Sequence, residues 1–189
     1  MTRIIAGAAR GRRLAVPPRG TRPTSDRVRE AVFSALSARI DFDGAAVLDL
    51  YAGTGALALE ALSRGAARAV LVDQDVKAAS VAKENARTVG LEGATVRRAT
   101  VGTYLGGAPE AFDLVFLDPP YDVSAATVDA DLAALSRGWL APHAHVVLER
   151  SARTAGAQAA QWPEGLTAEL TRDYGDTRIE LAVWQDRAA

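Results

Sequence analysis

The chain has 189 residues, carries a formal net charge of −1 and contains no cysteine. Its length fits one domain that buries roughly 70% of the surface of the unfolded chain, and the lack of cysteine excludes disulfides and cysteine-based metal sites and favours a reducing compartment. Because the N-terminus lacks the apolar core of a signal peptide, and no segment approaches the ~20 apolar residues of a membrane span, we expect a cytoplasmic protein with no membrane association.

Positive charge is concentrated near the N-terminus. Residues 1–30 hold eight arginines and two acidic residues, a net charge of +6, whereas the rest of the chain carries 14 basic and 21 acidic residues, a net charge of −7. This asymmetry predicts an arm that faces nucleic acid, attached to a neutral or acidic body. The alternative is a basic edge that is only solvated. The arginines that we expect to bind the substrate nucleic acid are Arg10, Arg12, Arg13, Arg22 and Arg27.

The first structured part of the chain is expected to be this basic arm. Two short extended segments, residues 3–6 and 12–16, are separated by a glycine-bounded turn and suit a small β-hairpin. Two prolines follow, and a helix then begins near Ser25, with apolar residues at helical spacing to about residue 38. We assign residues 1–22 to the arm and residues 23–189 to the domain that follows.

Strands and helices alternate through the rest of the chain. The predicted strands are residues 45–51, 68–73, 94–99, 112–117, 145–148, 167–171 and 178–184, and the predicted helices are residues 56–64, 76–89 and one that begins near residue 125. The last two strands flank Gly175 and form a hairpin. This order predicts an α/β fold with a doubly wound, mainly parallel sheet and a C-terminal antiparallel hairpin.

The segment that ends the fourth of these strands carries a candidate site. The continuous apolar run of residues 114–117 suits a strand that is covered on both faces. Pro119 and Pro120 then lack backbone donors and have fixed φ angles, so the chain must leave the sheet. Asp118 and Tyr121 are thereby presented together at the carboxyl end of a central strand. Open α/β sheets bind their ligands at that edge.

An aromatic substrate with an exocyclic amine fits this corner. Tyr121 and Pro120 would contact its ring, while Asp118 and the carbonyl of Pro119 would accept its two N–H groups and increase the nucleophilicity of the nitrogen. The sequence Asp118-Pro119-Pro120-Tyr121 resembles the Asp/Asn-Pro-Pro-Tyr/Phe motif of methyltransferases that act on adenine N6, guanine N2 or glutamine N5. The alternative is an ordinary turn after a core strand.

A glycine turn after the first strand of the domain indicates a nucleotide-like cofactor. Gly53, Thr54 and Gly55 open a helix and match G-x-G-x-x-A, which also permits NAD. Asp49 instead favours S-adenosylmethionine, because a carboxylate there would repel a pyrophosphate but attract an α-ammonium group. Asp73, at the end of the next strand, would bind the ribose hydroxyls. The spacing from Asp49 to Gly55 resembles the first motif of class I, Rossmann-like methyltransferases.

The motifs together resemble the RsmD family of 16S ribosomal RNA guanine-N2 methyltransferases over essentially the whole chain. The most specific segment is Arg22-Pro23-Thr24-Ser25-Asp26-Arg27-Val28-Arg29-Glu30, and the other matching segments are residues 3–7, 10–14, 49–57, 60–65 and 118–121. The resemblance implies methylation of one guanine near the decoding region in the 30S particle. Relatives often have an acidic or amide residue after the third strand. Here Thr100, or the backbone beside it, would contact the cofactor adenine.

The sequence therefore predicts an S-adenosylmethionine-dependent RNA guanine-N2 methyltransferase that acts on 16S rRNA or the 30S subunit, as a monomer and without a metal. The expected catalytic residues are Asp118, Pro119 and Tyr121, and the expected cofactor-binding residues are Asp49, Gly53, Thr54, Gly55, Asp73 and Thr100. Two alternatives stay open. One is a DNA adenine-N6 methyltransferase, although the chain shows no separate DNA-recognition domain. The other is a non-catalytic RNA-binding or ribosome-assembly factor.

Overall fold

Strands and helices alternate along the protein as the sequence pattern predicts. The computed structural model describes residues 2–16, 25–155 and 160–185. Its strands are β1 (Thr2–Arg3), β2 (Arg13–Leu14), β3 (Ala46–Leu50), β4 (Arg68–Asp73), β5 (Ala94–Arg98), β6 (Phe112–Leu117), β7 (Leu140–Ser151), β8 (Leu166–Tyr174) and β9 (Thr177–Trp184). Its helices are α1 (Asp26–Ser37), α2 (Ala56–Ser63), α3 (Val76–Val89), α4 (Val101–Leu105), α5 (Ala125–Leu135) and α6 (Ala152–Ala155).

Seven strands form one sheet in the order β5-β4-β3-β6-β7-β9-β8. Strands β3 to β7 are parallel to one another, whereas β9 runs antiparallel between β7 and β8. Strand β3 is the first strand of this sheet in the sequence. Strands β4 and β5 are added on one side of it, and β6 then pairs with its other side. The predicted mainly parallel sheet with a C-terminal antiparallel hairpin is confirmed. The last strand lies inside the sheet, and β8 forms its edge.

The sheet separates two apolar layers. Alternate residues of the central strands face opposite sides, so that Val47 and Phe116 belong to one layer and Leu48 and Val115 to the other. On the first face lie α1, α2, α3 and the N-terminal hairpin; on the second lie α4 and α5. Both faces of β3, β4 and β6 are covered, which explains their nearly continuous apolar sequences.

The structure also departs from the predicted elements; the four-residue helix α6, for example, was not predicted. The short helix α4 was not predicted, although Thr100 caps it by accepting a hydrogen bond from the amide of Thr103 at 3.0 Å. Strand β7 begins at Leu140, five residues earlier than predicted, and includes His143 at φ +62°. Across the described ranges, none of the helices combines the length and apolar character that crossing a bilayer requires.

The predicted N-terminal hairpin forms, with Thr2 opposite Leu14, and it is anchored on α2. The buried carboxylate of Glu60 accepts the amides of Ile5 at 2.7 Å and Ala6 at 3.0 Å. Gly7 has φ +81°, and a Cβ there would lie 1.7 Å from the carbonyl oxygen of Ser63. Only glycine permits this close approach. The arm is therefore fixed to the domain by backbone contacts, and its separate role in RNA recognition stays a prediction.

Candidate active site

The candidate site lies where the winding of the sheet reverses, between β3 and β6. Leu50 is level with Val72 of β4 on one side and with Leu117 of β6 on the other. The next residue of each strand therefore reaches the same edge of the sheet, which brings Asp73 and Asp118 to either side of Tyr51. Two motifs that are far apart in the sequence thus meet at the topological switch point of the sheet.

The glycine turn is held in place by Asp73. One carboxylate oxygen, Oδ2, accepts the amide of Gly53 at 2.8 Å, and Oδ1 accepts the amide of Asp75 at 2.9 Å. Gly55 precedes α2 with φ +79°, and a Cβ there would lie 2.5 Å from the side chain of Leu71. The turn therefore requires glycine at this position for two reasons, backbone conformation and lack of space. The amino end of α2 points at the sheet edge.

Asp49 is a buried carboxylate with incomplete hydrogen bonding. Its side chain is in the β3 strand and 1% exposed; Oδ2 accepts the amide of Ala58 at 3.1 Å, whereas Oδ1 has no hydrogen-bond partner among the described residues. Burial raises its pKa to about 8 against the opposing effect of the Ala58 bond, and the carboxylates of Asp118 and Asp73 add to the increase. A cationic ligand group at Oδ1 would stabilise the ionised form.

The carboxylates of Asp73 and Asp118 create a negative field at this edge of the sheet, and both act on Asp49. Such a field opposes the pyrophosphate of NAD and favours a ligand with positive charge. S-adenosylmethionine carries an ammonium and a sulfonium group. The residues present thus fit this cofactor, and the unpartnered Oδ1 of Asp49 is the observation that tests the fit.

The Asp118-Pro119-Pro120-Tyr121 corner directly follows β6. The amide of Asp118 lies 3.5 Å from the carbonyl oxygen of Leu50, and the carbonyl of Pro120 accepts the amide of Val123 at 3.0 Å, which closes the corner as a turn. Asp118 and Pro119 are half-buried. Tyr121 is 70% exposed and therefore presents its ring to incoming molecules. The corner therefore places the half-buried Asp118 next to the exposed ring of Tyr121.

Tyr51 connects the glycine turn to α5, the helix after the corner. Its hydroxyl donates to Oδ2 of the buried Asp131 at 2.6 Å. Burial raises the pKa of both groups; the hydrogen bond raises the pKa of Tyr51 further and opposes the increase at Asp131. From the sequence, Tyr51 could equally contact the cofactor or pack in the core, and Asp131 was not singled out. A mid-helix aspartate among apolar residues was the available signal.

The arginines predicted to bind RNA divide into groups with different contacts. Arg10 and Arg27 line a hollow of about 320 Å³ together with Arg3, Asp26 and Glu30. The sequence pattern predicted Arg10 and Arg27, but not Arg3, as RNA-binding residues. Their convergence on one hollow between the hairpin and α1 gives the exposed guanidinium groups a common surface.

The other predicted RNA-binding arginines lie elsewhere. Arg12 donates to the carbonyl oxygens of Thr88, at 3.0 Å, and Val89 at the carboxyl end of α3. Arg13 is exposed on β2. Arg22 lies outside the described residues. Thr100 is exposed, and its Oγ1 caps α4. Its contact with the cofactor adenine stays a prediction.

Comparisons with known proteins agree with this architecture. The sequence model of a family described as Conserved hypothetical protein 95 matches residues 2–183. Over 148 residues, which are 78% of this chain and 73% of the relative, the sequence is 39% identical to Ribosomal RNA small subunit methyltransferase D of Escherichia coli K12. The family match therefore includes the arm, the glycine turn and the corner.

Solved structures support the same assignment. The structure of yhhF from Escherichia coli has a TM-score of 0.85 and 30% identity, and it covers 98% of this chain and 99% of that chain. Magnesium protoporphyrin IX methyltransferase of Synechocystis PCC 6803, solved with bound S-adenosylmethionine, has a TM-score of 0.65 and 20% identity over 84% of this chain and 79% of that one, and it shows the fold alone. The fold is that of class I methyltransferases, and the chain belongs to the ribosomal RNA small subunit methyltransferase D family, RsmD.

Proposed function

We propose that this protein transfers a methyl group from S-adenosylmethionine to the exocyclic N2 amine of a guanine in 16S ribosomal RNA, within the 30S particle. The observation that carries the proposal is the meeting of the glycine turn and the Asp118-Pro119-Pro120-Tyr121 corner at one edge of the sheet, with Leu50 level with Leu117. Methyl donor and amine acceptor would then be bound side by side.

The cofactor would bind over the turn that Asp73 stabilises. Asp49 would hold the α-ammonium group through its unpartnered Oδ1, and the amides around Gly53 and Gly55 would approach the ligand closely. Val76, at the start of α3 and 59% exposed, offers an apolar surface near Asp73. When bound, S-adenosylmethionine supplies a methyl group attached to positively charged sulfur.

The corner would bind and activate the acceptor. The exposed Tyr121 ring would stack on a guanine that has left its helix or loop stack. Asp118 and the carbonyl of Pro119 would accept the two N–H groups of the amine. This orients the nitrogen lone pair towards the methyl group, and Asp118 receives the proton that the amine must lose.

The basic arm would supply RNA affinity. Arg10 and Arg27 are exposed around one hollow, and planar guanidinium groups can hold a phosphate or stack on an unpaired base. The hairpin is fixed to the first face of the sheet by Glu60 and Ser63. RNA that contacts the arm would therefore be held at a constant position relative to the site.

A methyl-transfer assay with three acceptors tests this proposal. Labelled S-adenosylmethionine is offered to 30S particles that lack the modification, to naked 16S RNA and to duplex DNA, and the modified nucleoside is identified by mass spectrometry. We expect N2-methylguanosine in the 30S particles. N6-methyladenosine in DNA would support the DNA enzyme, and RNA binding without transfer to any acceptor would support an assembly factor.

A further inference from the structure

The side chain of Asn85 forms hydrogen bonds both to the N-terminal arm and to the glycine turn. The residue lies on α3 and is 1% exposed. Its Oδ1 accepts the amide of Ala15 at 2.7 Å, while Nδ2 donates to the carbonyl oxygen of Ala15 at 3.0 Å and to that of Thr54 at 2.9 Å. Ala15 follows β2 of the arm, and Thr54 is the central residue of the glycine turn. One side chain thus connects the arm to the turn.

The hydrogen bonds fix the orientation of this amide. Both N–H groups of Asn85 point at carbonyl oxygens, and its oxygen faces an amide of Ala15. Rotation by 180° would place Oδ1 against two carbonyl oxygens and leave two acceptors unpaired, so the alternative is excluded. Each donor of the side chain is used. Aspartate has the same shape but lacks both donors, and alanine lacks all three bonds.

The cost of burying an amide indicates that the connection matters. An unpaired amide in an apolar core is strongly unfavourable, and an apolar side chain would fill the same space between α3 and the arm without that requirement. Anchoring the arm alone would need only the two bonds to Ala15. The third bond, to Thr54, makes the position of the glycine turn depend on the same side chain.

We propose that Asn85 is a positioning residue for the cofactor turn, through which the docked arm sets the position of the Thr54 carbonyl and of the neighbouring Gly53 and Gly55 amides. The identity of the cofactor in this proposal rests on the proposed function. RNA that holds the arm in its docked position would then favour the ordered turn. Cofactor and RNA would each increase the affinity of the other by the same factor.

Three variants separate this role from general anchoring of the arm. Asn85→Ala removes all three bonds. Ala15→Pro removes only the amide that Oδ1 accepts and substitutes no residue of the turn, so any effect on the turn must come through Asn85. Residue 14 is already extended, as a residue before proline must be. Ser63→Ala is the matched control, because Oγ accepts the amide of Ala9 at 2.9 Å and donates to Ala6 but makes no bond to the turn.

The first measurement is hydrogen exchange of the peptide that covers residues 52–59 in the ligand-free protein. We expect faster exchange in Asn85→Ala and Ala15→Pro and unchanged exchange in Ser63→Ala. Thermal unfolding checks that each variant is folded, and if Asn85→Ala does not fold, the comparison of Ala15→Pro with Ser63→Ala decides. Equal exchange in Ala15→Pro and wild type would overturn the proposal.

The second measurement is the affinity for S-adenosylmethionine by calorimetry. We expect Asn85→Ala to bind roughly tenfold more weakly, the scale of one or two lost buried hydrogen bonds, and Ser63→Ala to stay within about twofold of wild type. Equal weakening by Ser63→Ala would also overturn the proposal, since arm docking in general would then be responsible. A wild-type protein that binds no S-adenosylmethionine would contradict the proposed function, while the exchange data would still decide the role of Asn85.

Discussion

The hydroxyl of Tyr51 donates to Oδ2 of Asp131 at 2.6 Å, from a residue whose backbone has φ +62°. A non-glycine residue in this region costs on the order of 1–3 kcal/mol, so neighbouring contacts must maintain it. Tyr51 stands directly before the glycine turn, and Asp131 belongs to the helix after the Asp118-Pro119-Pro120-Tyr121 corner. The bond therefore links the cofactor side of the site to the acceptor side.

Tyr51→Phe is expected to lower the free energy of unfolding by about 1–3 kcal/mol, because the buried Asp131 carboxylate loses its donor. The loss should be larger at pH 8 than at pH 5. Burial already raises the pKa of Asp131 and the Tyr51 hydroxyl opposes this; without the hydroxyl the folded-state pKa rises further, and stability falls as pH increases through it. Urea unfolding at both pH values measures the effect. The double variant Tyr51→Phe/Asp131→Leu removes both polar groups and should recover stability.

Asp49→Asn should stabilise the ligand-free protein increasingly as pH rises. The folded-state pKa of Asp49 is raised to about 8 from 3.8, so the folded protein binds one proton more than the unfolded chain between these values, and its stability falls with rising pH across that interval. The advantage of the variant should grow by more than about 1 kcal/mol between pH 5 and pH 8.5. Denaturant unfolding of both proteins tests this, and a constant difference across the range would contradict it.

The same variant tests the cofactor contact. Binding of an ammonium group beside Asp49 should favour the carboxylate, so wild type should release a proton on binding S-adenosylmethionine at pH 7. Calorimetry in buffers with different ionisation enthalpies counts the protons. The side-chain amide of the Asp49→Asn variant cannot ionise, and release by this variant equal to that of wild type would assign the proton to another group.

Asp118→Ala should leave the affinity for S-adenosylmethionine nearly unchanged and reduce methyl transfer by roughly 10²-fold or more, because the amine loses the group that orients and deprotonates it. Single-turnover rates beside calorimetric affinities separate the two effects. Asp122→Ala removes an exposed carboxylate on the same loop and serves as the control. Full activity of Asp118→Ala would refute the catalytic assignment.

Asp73→Ala should weaken binding of S-adenosylmethionine by about 1–3 kcal/mol. The carboxylate accepts the amide of Gly53, so its loss loosens the turn as well as removing the proposed acceptor for ribose hydroxyls. Asp75→Ala is the matched control: Asp75 caps α3 by accepting the amide of Ala78 at 2.8 Å, and the variant should lose stability without losing affinity. Equal affinity of wild type and Asp73→Ala would show that the ribose lies elsewhere.

Arg10→Ala/Arg27→Ala should flatten the plot of log RNA affinity against log salt by about 0.7–0.9 for each phosphate that the protein no longer neutralises. Binding of 30S subunits or RNA fragments across a salt series provides the slope, and affinity for S-adenosylmethionine checks the fold. Arg12→Ala is measured separately, because that guanidinium donates to the carbonyl oxygens that end α3. We expect Arg12→Ala to lower the free energy of unfolding and to leave the salt dependence of RNA affinity nearly unchanged. An unchanged slope in the double variant would mean that Arg10 and Arg27 do not contact RNA phosphates and that the hollow is only a solvated basic surface.

Periodicity and local chemistry were enough to predict the parallel sheet, whereas the assignment of the site residues stays a prediction. Long apolar strands, the glycine turn and the two prolines are local signals, and parallel pairing brings Asp73 and Asp118 to one edge. The short helix α4 has a weaker signal, because its five residues include Gly102 and only the cap at Thr100 marks its start. The position of β9 between β7 and β8 requires β7 to pair with β9 rather than with β8. The spacing of the strands in the sequence does not specify this pairing.

The contacts between distant segments could not be predicted from the sequence. Asn85 meets Ala15 across 70 positions, and Tyr51 meets Asp131 across 80. Each polar side chain lies at a position where the pattern alone predicts packing or solvent. Arg12 carries the same charge as Arg10, yet its neighbours are carbonyl oxygens at the end of α3. Such differences arise from tertiary geometry, which composition does not contain.

The internal position of β9 also affects the order in which the protein can be completed during translation. Strand β7 ends at Ser151, and the strand that covers its free side spans Thr177–Trp184. At 5–20 residues per second, the ribosome needs roughly 2–7 seconds to extend the chain from Ser151 through Trp184. Until β9 is in place the apolar centre of β7 has an unpaired edge, and such an edge is a template for pairing with another chain.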